Sequence, residues 1–172
     1  MLKVMLMYIK IIMVINSAIF MNIHISSGSM ENTILTDSYI ICNKQSYNNK
    51  QPQRFDVVVF RYPLDKSQLY IKRIIGLPGE HVEIKNGNVY IDNNSEPISE
   101  HYLKEEWNVD NGVYTFDIPC DCYLMLGDNR NNSYDNRYWI INDDEKNYVY
   151  VNRNDIVAKA WIQYYPQIDV ID

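Results

Sequence analysis

The chain has 172 residues, of which 47% are hydrophobic and 22% charged, and its formal net charge is −6. This composition is that of a globular protein rather than a disordered one, and the negative charge argues against nucleic acid as the main partner. The three cysteines, Cys42, Cys120 and Cys122, are an odd number and cannot all be paired in disulfides. One residue separates the last two, which is a poor spacing for zinc ligands. We therefore expect ordinary thiols and no metal site.

The N-terminal stretch, residues 4–25, is hydrophobic and long enough to cross a bilayer, which takes about 20 residues. Lys3 and Lys10 favour a cytoplasmic N-terminus, which would place the following chain outside the membrane. We therefore expect a membrane anchor over residues 1–25 and an extracytoplasmic domain over residues 26–172. The alternatives are a cleaved secretory signal, an amphipathic interfacial helix and a helix packed on the domain.

After this stretch the pattern is typical of β-structure. Short runs rich in β-branched and aromatic residues alternate with turn residues, and the Asn-Gly pair at 86–87 predicts a hairpin. No amphipathic helix of a dozen residues is evident. We predict a mainly β fold of antiparallel sheets or an irregular β-barrel. The predicted strands cover residues 56–62, 68–75, 81–92, 112–118, 122–126 and 155–165. The Asn-rich stretches 43–49, 92–95 and 142–147 are predicted to be surface loops.

Two segments contain residues suited to nucleophilic chemistry. In ISSGSMENTI, residues 25–34, a glycine between two serines lets the backbone bend and present one hydroxyl. In YIKRIIGLPGE, residues 70–80, Lys72 and Arg73 are adjacent in an apolar strand, so one of them is expected to face the interior or a cleft. A desolvated lysine has a lowered pKa and can act as a base. The alternative is that Lys72 extends to solvent and Arg73 pairs with a carboxylate.

A third segment, GDNRNNSYDNRYW at residues 127–139, contains two Asp and two Arg that could make a loop rigid, although a plain turn is the simpler interpretation. A serine nucleophile needs a base within hydrogen-bond reach. The three histidines, His24, His81 and His101, lie in no recognisable motif. A Ser-His-Asp triad is therefore poorly supported, and a Ser-Lys dyad is a known variant of the same chemistry.

Taken in order, SGSM, the RFDVVVF run at residues 54–60, YIKRIIGLPGE and GDNRNNSYDNRYW resemble the type I signal peptidases. The resemblance implies a membrane-bound serine endopeptidase that removes signal peptides from secretory precursors by cutting after small residues, at Ala-x-Ala sites. It implies a single-pass protein of the cell membrane whose partners are membrane-held preproteins and the lipid bilayer, with no metal or organic cofactor.

The resemblance also implies residue roles. Ser29 would be the nucleophile and Lys72 the general base, with Ser133 orienting Lys72. The Ser27 hydroxyl and the Ser29 backbone N–H would hold the oxyanion. Residues expected to brace the site are Asp128, Asp135, Arg137 and Arg73. Residues expected to line shallow apolar substrate pockets are Met30, Ile34, Tyr70 and Ile71.

The chain departs from the family pattern at a few positions. Asn32 stands where proline is usual, so the turn after Ser29 is expected to be less rigid, and Ile140 and Ala158 replace glycines. Residues 142–147 look like an extra loop. Two other functions are weighed: a signal-peptidase-like chaperone or assembly factor for surface fibres such as pili, and a self-cleaving repressor or polymerase-accessory protein. The intact Ser-Lys pair argues against the first, and the hydrophobic N-terminus and lack of a DNA-binding motif argue against the second.

Overall fold

The computed structural model describes residue 6 and residues 17–109, 112–140 and 149–171. This part of the chain is mainly β, with every strand pairing antiparallel, so the predicted class of antiparallel sheets is confirmed. The strands are β1 Phe20–His24, β2 Tyr39–Asn43, β3 Val57–Tyr62, β4 Asp65–Gly76, β5 His81–Lys85, β6 Asn88–Ile91, β7 Tyr114–Asp117, β8 Cys122–Leu126, β9 Val151–Asn152, β10 Ile156–Tyr165 and β11 Asp169–Val170. Single 3-10 turns lie at Gly28–Met30, Arg130–Asn132 and Arg153–Asp155.

The larger sheet has the strand order β1-β2-β10-β3-β4-β8-β9, with β11 beside β10. Its central strand β3 has the sequence VVVFRY and is buried along nearly its whole length, as expected for a strand covered on both faces. Strand β4 pairs with β3 at Asp65 and from Leu69 to Arg73, but with β8 only from Arg73 onward. Within the described residues, the first half of β4 therefore has one backbone edge without a partner strand.

The smaller sheet has the order β6-β5-β7, and the hairpin predicted at Asn86–Gly87 joins β5 to β6. Both residues have positive φ, 52° and 74°, which is the backbone that an Asn-Gly turn of this kind requires. A core of aliphatic and aromatic side chains, including Phe116 and Leu124, joins this sheet to β8. A second, aromatic-rich core lies around Trp139 and a third between β2, β3 and β10.

Of the predicted membrane anchor, residues 1–25, the structure describes residue 6 and residues 17–25. Phe20–His24, assigned from the sequence to the last part of an anchor, forms strand β1 and pairs in register with β2. That end of the hydrophobic stretch therefore belongs to the sheet. Most of the remaining stretch, residues 1–5 and 7–16, lies outside the described residues, as does the whole of the predicted loop 142–147. No helix within the described part has both the length and the apolar character needed to cross a membrane.

Candidate active site

Ser29 lies in the single 3-10 turn Gly28–Met30 that follows β1, and only 6% of the residue is exposed. The turn is closed by backbone hydrogen bonds from Glu31 N to Gly28 O at 3.2 Å and from Ile34 N to Met30 O at 2.7 Å. Met30 and Ile34 are fully buried in the core between β2, β3 and β10. Two apolar side chains thus hold the turn against the sheet and keep the serine hydroxyl at its surface.

Lys72 reaches Ser29 from the middle of β4. Its Nζ lies 2.6 Å from Ser29 Oγ and donates a second hydrogen bond to the backbone carbonyl of Ile71 at 3.0 Å. The residue is 4% exposed. A serine hydroxyl and an amine at this distance are placed for direct proton transfer.

Burial lowers the pKa of Lys72 from its ordinary value near 10.5 to about 8, because water is not available to solvate the ammonium. The carboxylates of Asp135 and Asp128 act in the opposite direction and favour the charged form, while Arg137 disfavours it. The amine is therefore substantially neutral near pH 8. A neutral amine has a lone pair that can accept the Ser29 proton.

Arg73, the next residue of β4, is also buried and faces the opposite side of the strand. Its guanidinium binds Asp128 through two hydrogen bonds, Nε to Oδ1 at 2.9 Å and Nη2 to Oδ2 at 2.7 Å. The same carboxylate accepts a hydrogen bond from Thr33 Oγ1 at 2.5 Å, and Arg73 Nη1 donates to Phe55 O at 2.8 Å. The sequence predicted one inward-facing cation in this strand, whereas the structure buries both.

The Arg73–Asp128 pair joins three parts of the chain, namely β4, the turn after Ser29 and the loop after β8. Its two hydrogen bonds are parallel, which gives the pair a fixed orientation as well as electrostatic attraction. Because both groups are almost fully buried, loss of one would leave an unpaired charge in the interior. The predicted bracing role of Arg73 and Asp128 therefore has a geometric basis.

The loop over residues 127–137 is held by a second buried ion pair. Arg137 binds Asp135 through Nε to Oδ1 at 2.8 Å and Nη2 to Oδ2 at 3.0 Å. Burial alone would raise the pKa of Asp135, but the Arg137 guanidinium more than offsets this and lowers it. Asp135 Oδ2 also accepts the backbone N–H of Gly127 at 3.0 Å. The two ends of the loop are thus tied together.

The same loop contacts the backbone of the nucleophile. Asn129 N donates to Ser29 O at 3.0 Å, and Asn129 Nδ2 donates to Gly28 O at 3.0 Å. Gly127 lies so close that a Cβ atom there would be 2.5 Å from Ser29 O and 2.2 Å from Ser133 Oγ. The sequence predicts no role for Asn129 or Gly127. Their position inside the polar segment 127–139 was the one hint in the sequence, because Gly28 and Ser29, which they contact, lie about a hundred residues away.

Ser133 and Ser27, the two other serines expected to take part, differ in their contacts. Ser27 Oγ is 3.5 Å from Ser29 Oγ, on the nucleophile's side of the turn. Ser133 Oγ is buried and makes no hydrogen bond, either to Lys72 or to another group. The hydrogen bond expected from Ser133 to Lys72 is therefore not formed in this structure.

A cleft of about 500 Å³ opens in front of Ser29 and Lys72. Of the four residues expected to line substrate pockets, Tyr70 and Ile71 line it. Met30 and Ile34 do not, because they are fully buried in the core and have no surface open to a substrate. The cleft is bordered by the end of β1, the start of the turn Gly28–Met30, the first half of β4 and the loop over residues 127–137. Its lining residues also include Ile23, His24, Ile25, Val59, Leu69, Asn132 and Tyr134.

Asn32 has φ of 87°, a backbone conformation that the proline ring excludes. Its side chain donates hydrogen bonds to the carbonyls of Tyr102 at 3.1 Å and Leu103 at 3.4 Å. The turn that was expected to be less rigid for lack of proline is therefore tied to the neighbouring segment by an amide.

Each histidine has a partner other than Ser29. His24 lies 3.5 Å from Asp37, His81 lies 2.6 Å from Asp117, and His101 lies 2.8 Å from Ser99. Lys72 is thus the base that contacts the candidate nucleophile. Across the described residues, no group of three His, Cys, Asp or Glu side chains is placed to bind a metal ion.

Comparison with known proteins gives a consistent result. Residues 1–165 match the family model described as "Signal peptidase, peptidase S26". The chain is 37% identical over 149 residues to "Probable signal peptidase I-2" of Synechocystis sp., a match that covers 83% of this chain and 62% of the relative. It is 32% identical over 160 residues to "Signal peptidase I" of Bacillus caldolyticus, covering 86% of this chain and 81% of the relative.

A solved structure is similar as well. The crystal structure of a signal peptidase I from Enterococcus faecalis V583 matches with a TM-score of 0.50 and 30% sequence identity. This match covers 64% of the present chain and 97% of the crystallised one. The fold and the sequence therefore point to the same group of proteins.

Proposed function

Because the chain belongs to the signal peptidase family, peptidase S26, we propose that it is a serine endopeptidase that removes signal peptides from secretory preproteins. The observation that carries the proposal is the 2.6 Å contact between Ser29 Oγ and the buried amine of Lys72. A lysine that is neutral near pH 8 and touches a serine hydroxyl in an open cleft is an arrangement for nucleophilic catalysis.

In the proposed reaction, Ser29 Oγ attacks the carbonyl carbon of the scissile peptide while its proton passes to the neutral Lys72 amine. The backbone N–H of Ser29 and the hydroxyl of Ser27 hold the oxyanion that forms. When the C–N bond breaks, Lys72 returns the proton to the leaving amine. Lys72 then takes a proton from a water molecule as that water attacks the acyl carbon, and it gives the proton to Ser29 Oγ when the ester bond breaks. Ser133, whose buried hydroxyl has no partner, would turn toward Lys72 and orient it.

We propose that the substrate binds as an added β-strand. The outer edge of β1 and the first half of β4 both border the cleft, and neither has a partner strand there among the described residues. Exposed strand edges recruit extended peptides through backbone hydrogen bonds. The side chains of Ile25, Val59 and Ile71 line the acyl side of the cleft, which suits small residues such as the two alanines of an Ala-x-Ala site.

The membrane location is part of the same proposal. With β1 beginning at Phe20, the predominantly apolar stretch before it has 19 residues, among them Lys3, Lys10, Asn16 and Ser17, and this length is close to the roughly 20 that a transmembrane helix requires. We propose a single-pass anchor with a cytoplasmic N-terminus and an extracytoplasmic catalytic domain. Holding enzyme and preprotein on one membrane raises their effective concentration.

The test uses the full chain in detergent with a peptide carrying one Ala-x-Ala site and mass spectrometry to locate the cut. We expect cleavage directly after the second alanine, lost in Ser29→Ala and kept in Ser67→Ala, whose serine is exposed near the start of β4. A folded wild-type protein that leaves the peptide intact would overturn the peptidase proposal. Cleavage by Ser29→Ala at the wild-type rate would overturn the choice of nucleophile.

A further inference from the structure

Three buried arginines around the site, Arg73, Arg130 and Arg137, all contact one short segment that the proposed chemistry does not use. This segment, residues 100–109, lies in the connection between β6 and β7 and forms neither helix nor strand. We call it the bridging segment. Because β6 and β7 belong to the smaller sheet, the bridging segment connects that sheet to the candidate site.

Trp107 makes the central contact between the bridging segment and the loop over residues 127–137. The tryptophan is 4% exposed, and its ring centroid lies 5.0 Å from Arg130 Cζ and 4.9 Å from Arg137 Cζ. A cation is attracted to the face of an aromatic ring, most strongly to tryptophan and where water is excluded. Arg137 Nη1 is buried and makes no hydrogen bond to any described residue, so this guanidinium depends on contacts of other kinds, of which the Trp107 ring is one.

Hydrogen bonds tie the same loop to the bridging segment on either side of Trp107. Arg130 binds Glu100 through Nη2 to Oε1 at 2.5 Å and Nη1 to Oε2 at 3.2 Å, and the two side chains are 1% and 6% exposed. Asn131 Oδ1 accepts the backbone N–H of Val109 at 2.9 Å, and the carbonyl of Val109 accepts the indole N–H of Trp107 at 2.9 Å. The ring is thus fixed between two anchored points.

The bridging segment also contacts β4 and the turn after the nucleophile. The ring of Tyr102 lies over the Arg73 guanidinium, 4.1 Å from Cζ to the ring centroid, and the Tyr102 carbonyl accepts a hydrogen bond from Asn32 Nδ2 at 3.1 Å. Lys104 N donates to Asp128 O at 3.3 Å. One segment therefore contacts each of the three parts of the chain that hold the Ser-Lys pair.

We propose that Trp107 is a positioning residue for the peptidase reaction, which fixes the loop over residues 127–137 against Ser29 and Lys72 by holding the two arginines of that loop. This inference rests on the proposed peptidase function and concerns a residue that is not among those lining the cleft. A misplacement of about 1 Å caused far from the reacting atoms can cost ~10²-fold in rate. A buried ring behind the loop can therefore control the rate without contacting the substrate.

The position of the loop also affects the environment of Lys72. The charged groups that act on its amine are Asp135, Asp128 and Arg137, and the Tyr70 ring centroid lies 5.7 Å from its Nζ. A loop that moved outward would admit water and weaken the burial that lowers the Lys72 pKa. Displacement of Arg137 would also leave Asp135 unpaired, and an unpaired carboxylate favours the charged lysine. Both changes raise the pKa of Lys72, so the midpoint of the pH profile should move upward.

The experiment compares Trp107→Leu with Trp107→Phe in the full chain in detergent, using the Ala-x-Ala peptide. Both replacements shorten the side chain and keep it apolar, but only phenylalanine keeps a ring face for the arginines. We expect Trp107→Leu to lower kcat about 10- to 100-fold at its own plateau pH with KM little changed, and to raise the midpoint of kcat/KM from near pH 8 to about pH 9. Trp107→Phe should keep the wild-type midpoint and kcat within about threefold.

Tyr90→Leu is the matched control. It removes a ring of the smaller sheet that also lies beside a cation, since Lys85 Nζ is 4.6 Å from its centroid, and wild-type kinetics are expected. Asn131→Ala is a second test that leaves the core intact, because it detaches the bridging segment from the loop at a half-buried amide. It should lower kcat about fivefold and move the midpoint in the same upward direction.

Equal values of kcat and an unchanged midpoint in Trp107→Leu and Trp107→Phe would show that Trp107 serves only the core, and would overturn the inference while leaving the peptidase function intact. If Trp107→Leu does not fold, wild-type kcat and midpoint in Asn131→Ala would overturn it equally. A folded wild type that leaves the peptide uncut would instead overturn the proposed function, and the inference with it.

Discussion

At the scale of single residues, the amine of Lys72 occupies a place where its charged form is poorly solvated. Two carboxylates, Asp128 and Asp135, act through space to favour the charge, yet each is already paired with an arginine. Because those arginines neutralise the carboxylates, burial remains the larger influence and the pKa stays low. The ion pairs around the site therefore have two effects: they order the loop, and they keep the lysine from being paired itself.

The low pKa of Lys72 has a cost in stability. The unfolded chain binds a proton at Lys72 up to about pH 10.5, whereas the folded chain releases it near pH 8. The cost is therefore absent above pH 10.5, grows as the pH falls, and is complete below pH 8, at about 3 kcal/mol. We expect Lys72→Met to be roughly 1–3 kcal/mol more stable than wild type at pH 7 and nearly equal at pH 10.5, measured by urea unfolding. Lys85→Met, at a partly exposed lysine of β5, should show no such gain, and a Lys72→Met protein less stable than wild type at pH 7 would contradict the account.

Ser27 tests the oxyanion assignment. Loss of one donor to an oxyanion typically lowers the rate by ~10²–10³. We therefore expect Ser27→Ala to reduce kcat by about that factor with little change in KM, because the donor acts on charge that develops only in the transition state. Steady-state kinetics on the Ala-x-Ala peptide provide the measurement. A change confined to KM would show that Ser27 contacts the substrate in its ground state instead.

At the scale of elements, the turn Gly28–Met30 and the loop over residues 127–137 are two short irregular segments held against one regular strand, β4. The sequence predicted the longer strands from runs such as VVVF, and it predicted the β5–β6 hairpin from Asn86-Gly87. It missed β1 because FMNIH continues a hydrophobic run that hydropathy assigns to an anchor, and only pairing with β2 reveals a strand. Strands β9 and β11 are two residues long and carry no periodic signal.

In the candidate site, too, some features could be predicted from the sequence and others could not. Ser29 and Lys72 were identified through motifs, and the structure brings them together. The burial of Met30 and Ile34 was not evident, since an apolar residue beside a nucleophile can face either a pocket or the core. The missing hydrogen bond from Ser133 to Lys72 was also not evident from the sequence, because a hydroxyl's direction depends on packing and not on sequence spacing.

Gly127 tests the close approach of the loop to the nucleophile. An added methyl group would lie 2.5 Å from Ser29 O and 2.2 Å from Ser133 Oγ, so the loop and the turn would have to separate. We expect Gly127→Ala to lower kcat at least 100-fold and to reduce the free energy of unfolding by about 1–3 kcal/mol, as overpacking typically does. In Gly112→Ala the new methyl group would be 3.9 Å from its nearest neighbour, and wild-type behaviour is expected. Full activity in Gly127→Ala would contradict the contact.

At the scale of the whole molecule, the first strand, β1, would connect the β domain to the proposed membrane anchor. Strand β1 both borders the substrate cleft and follows directly after the hydrophobic N-terminal stretch. A preprotein held in the membrane by its signal segment would therefore meet the cleft near the membrane surface. This arrangement suits a substrate whose cleavage site lies close to a membrane-spanning segment.

The membrane proposal predicts how the full chain fractionates. Wild type should remain with membranes after extraction with alkaline carbonate. A variant with aspartates at Ile12 and Val14, which lie outside the described residues, should be released, because each charge costs ~2.5–3.5 kcal/mol at the centre of a membrane helix. Aspartates at Leu64 and Ile168, which are exposed in the domain, serve as the matched control. Release of wild type by carbonate would contradict a spanning anchor.

The pH dependence of kcat/KM on the Ala-x-Ala peptide tests the Ser29–Lys72 assignment most directly. Since the base must be neutral in the free enzyme, the rate should fall about tenfold per unit below a midpoint near pH 8 and level off above it. Lys72→Met should remove the activity at every pH. A profile that is flat from pH 6 to 9, or that has its midpoint near the ordinary histidine value of about 6.5 while Lys72→Met stays active, would show that another group is the base.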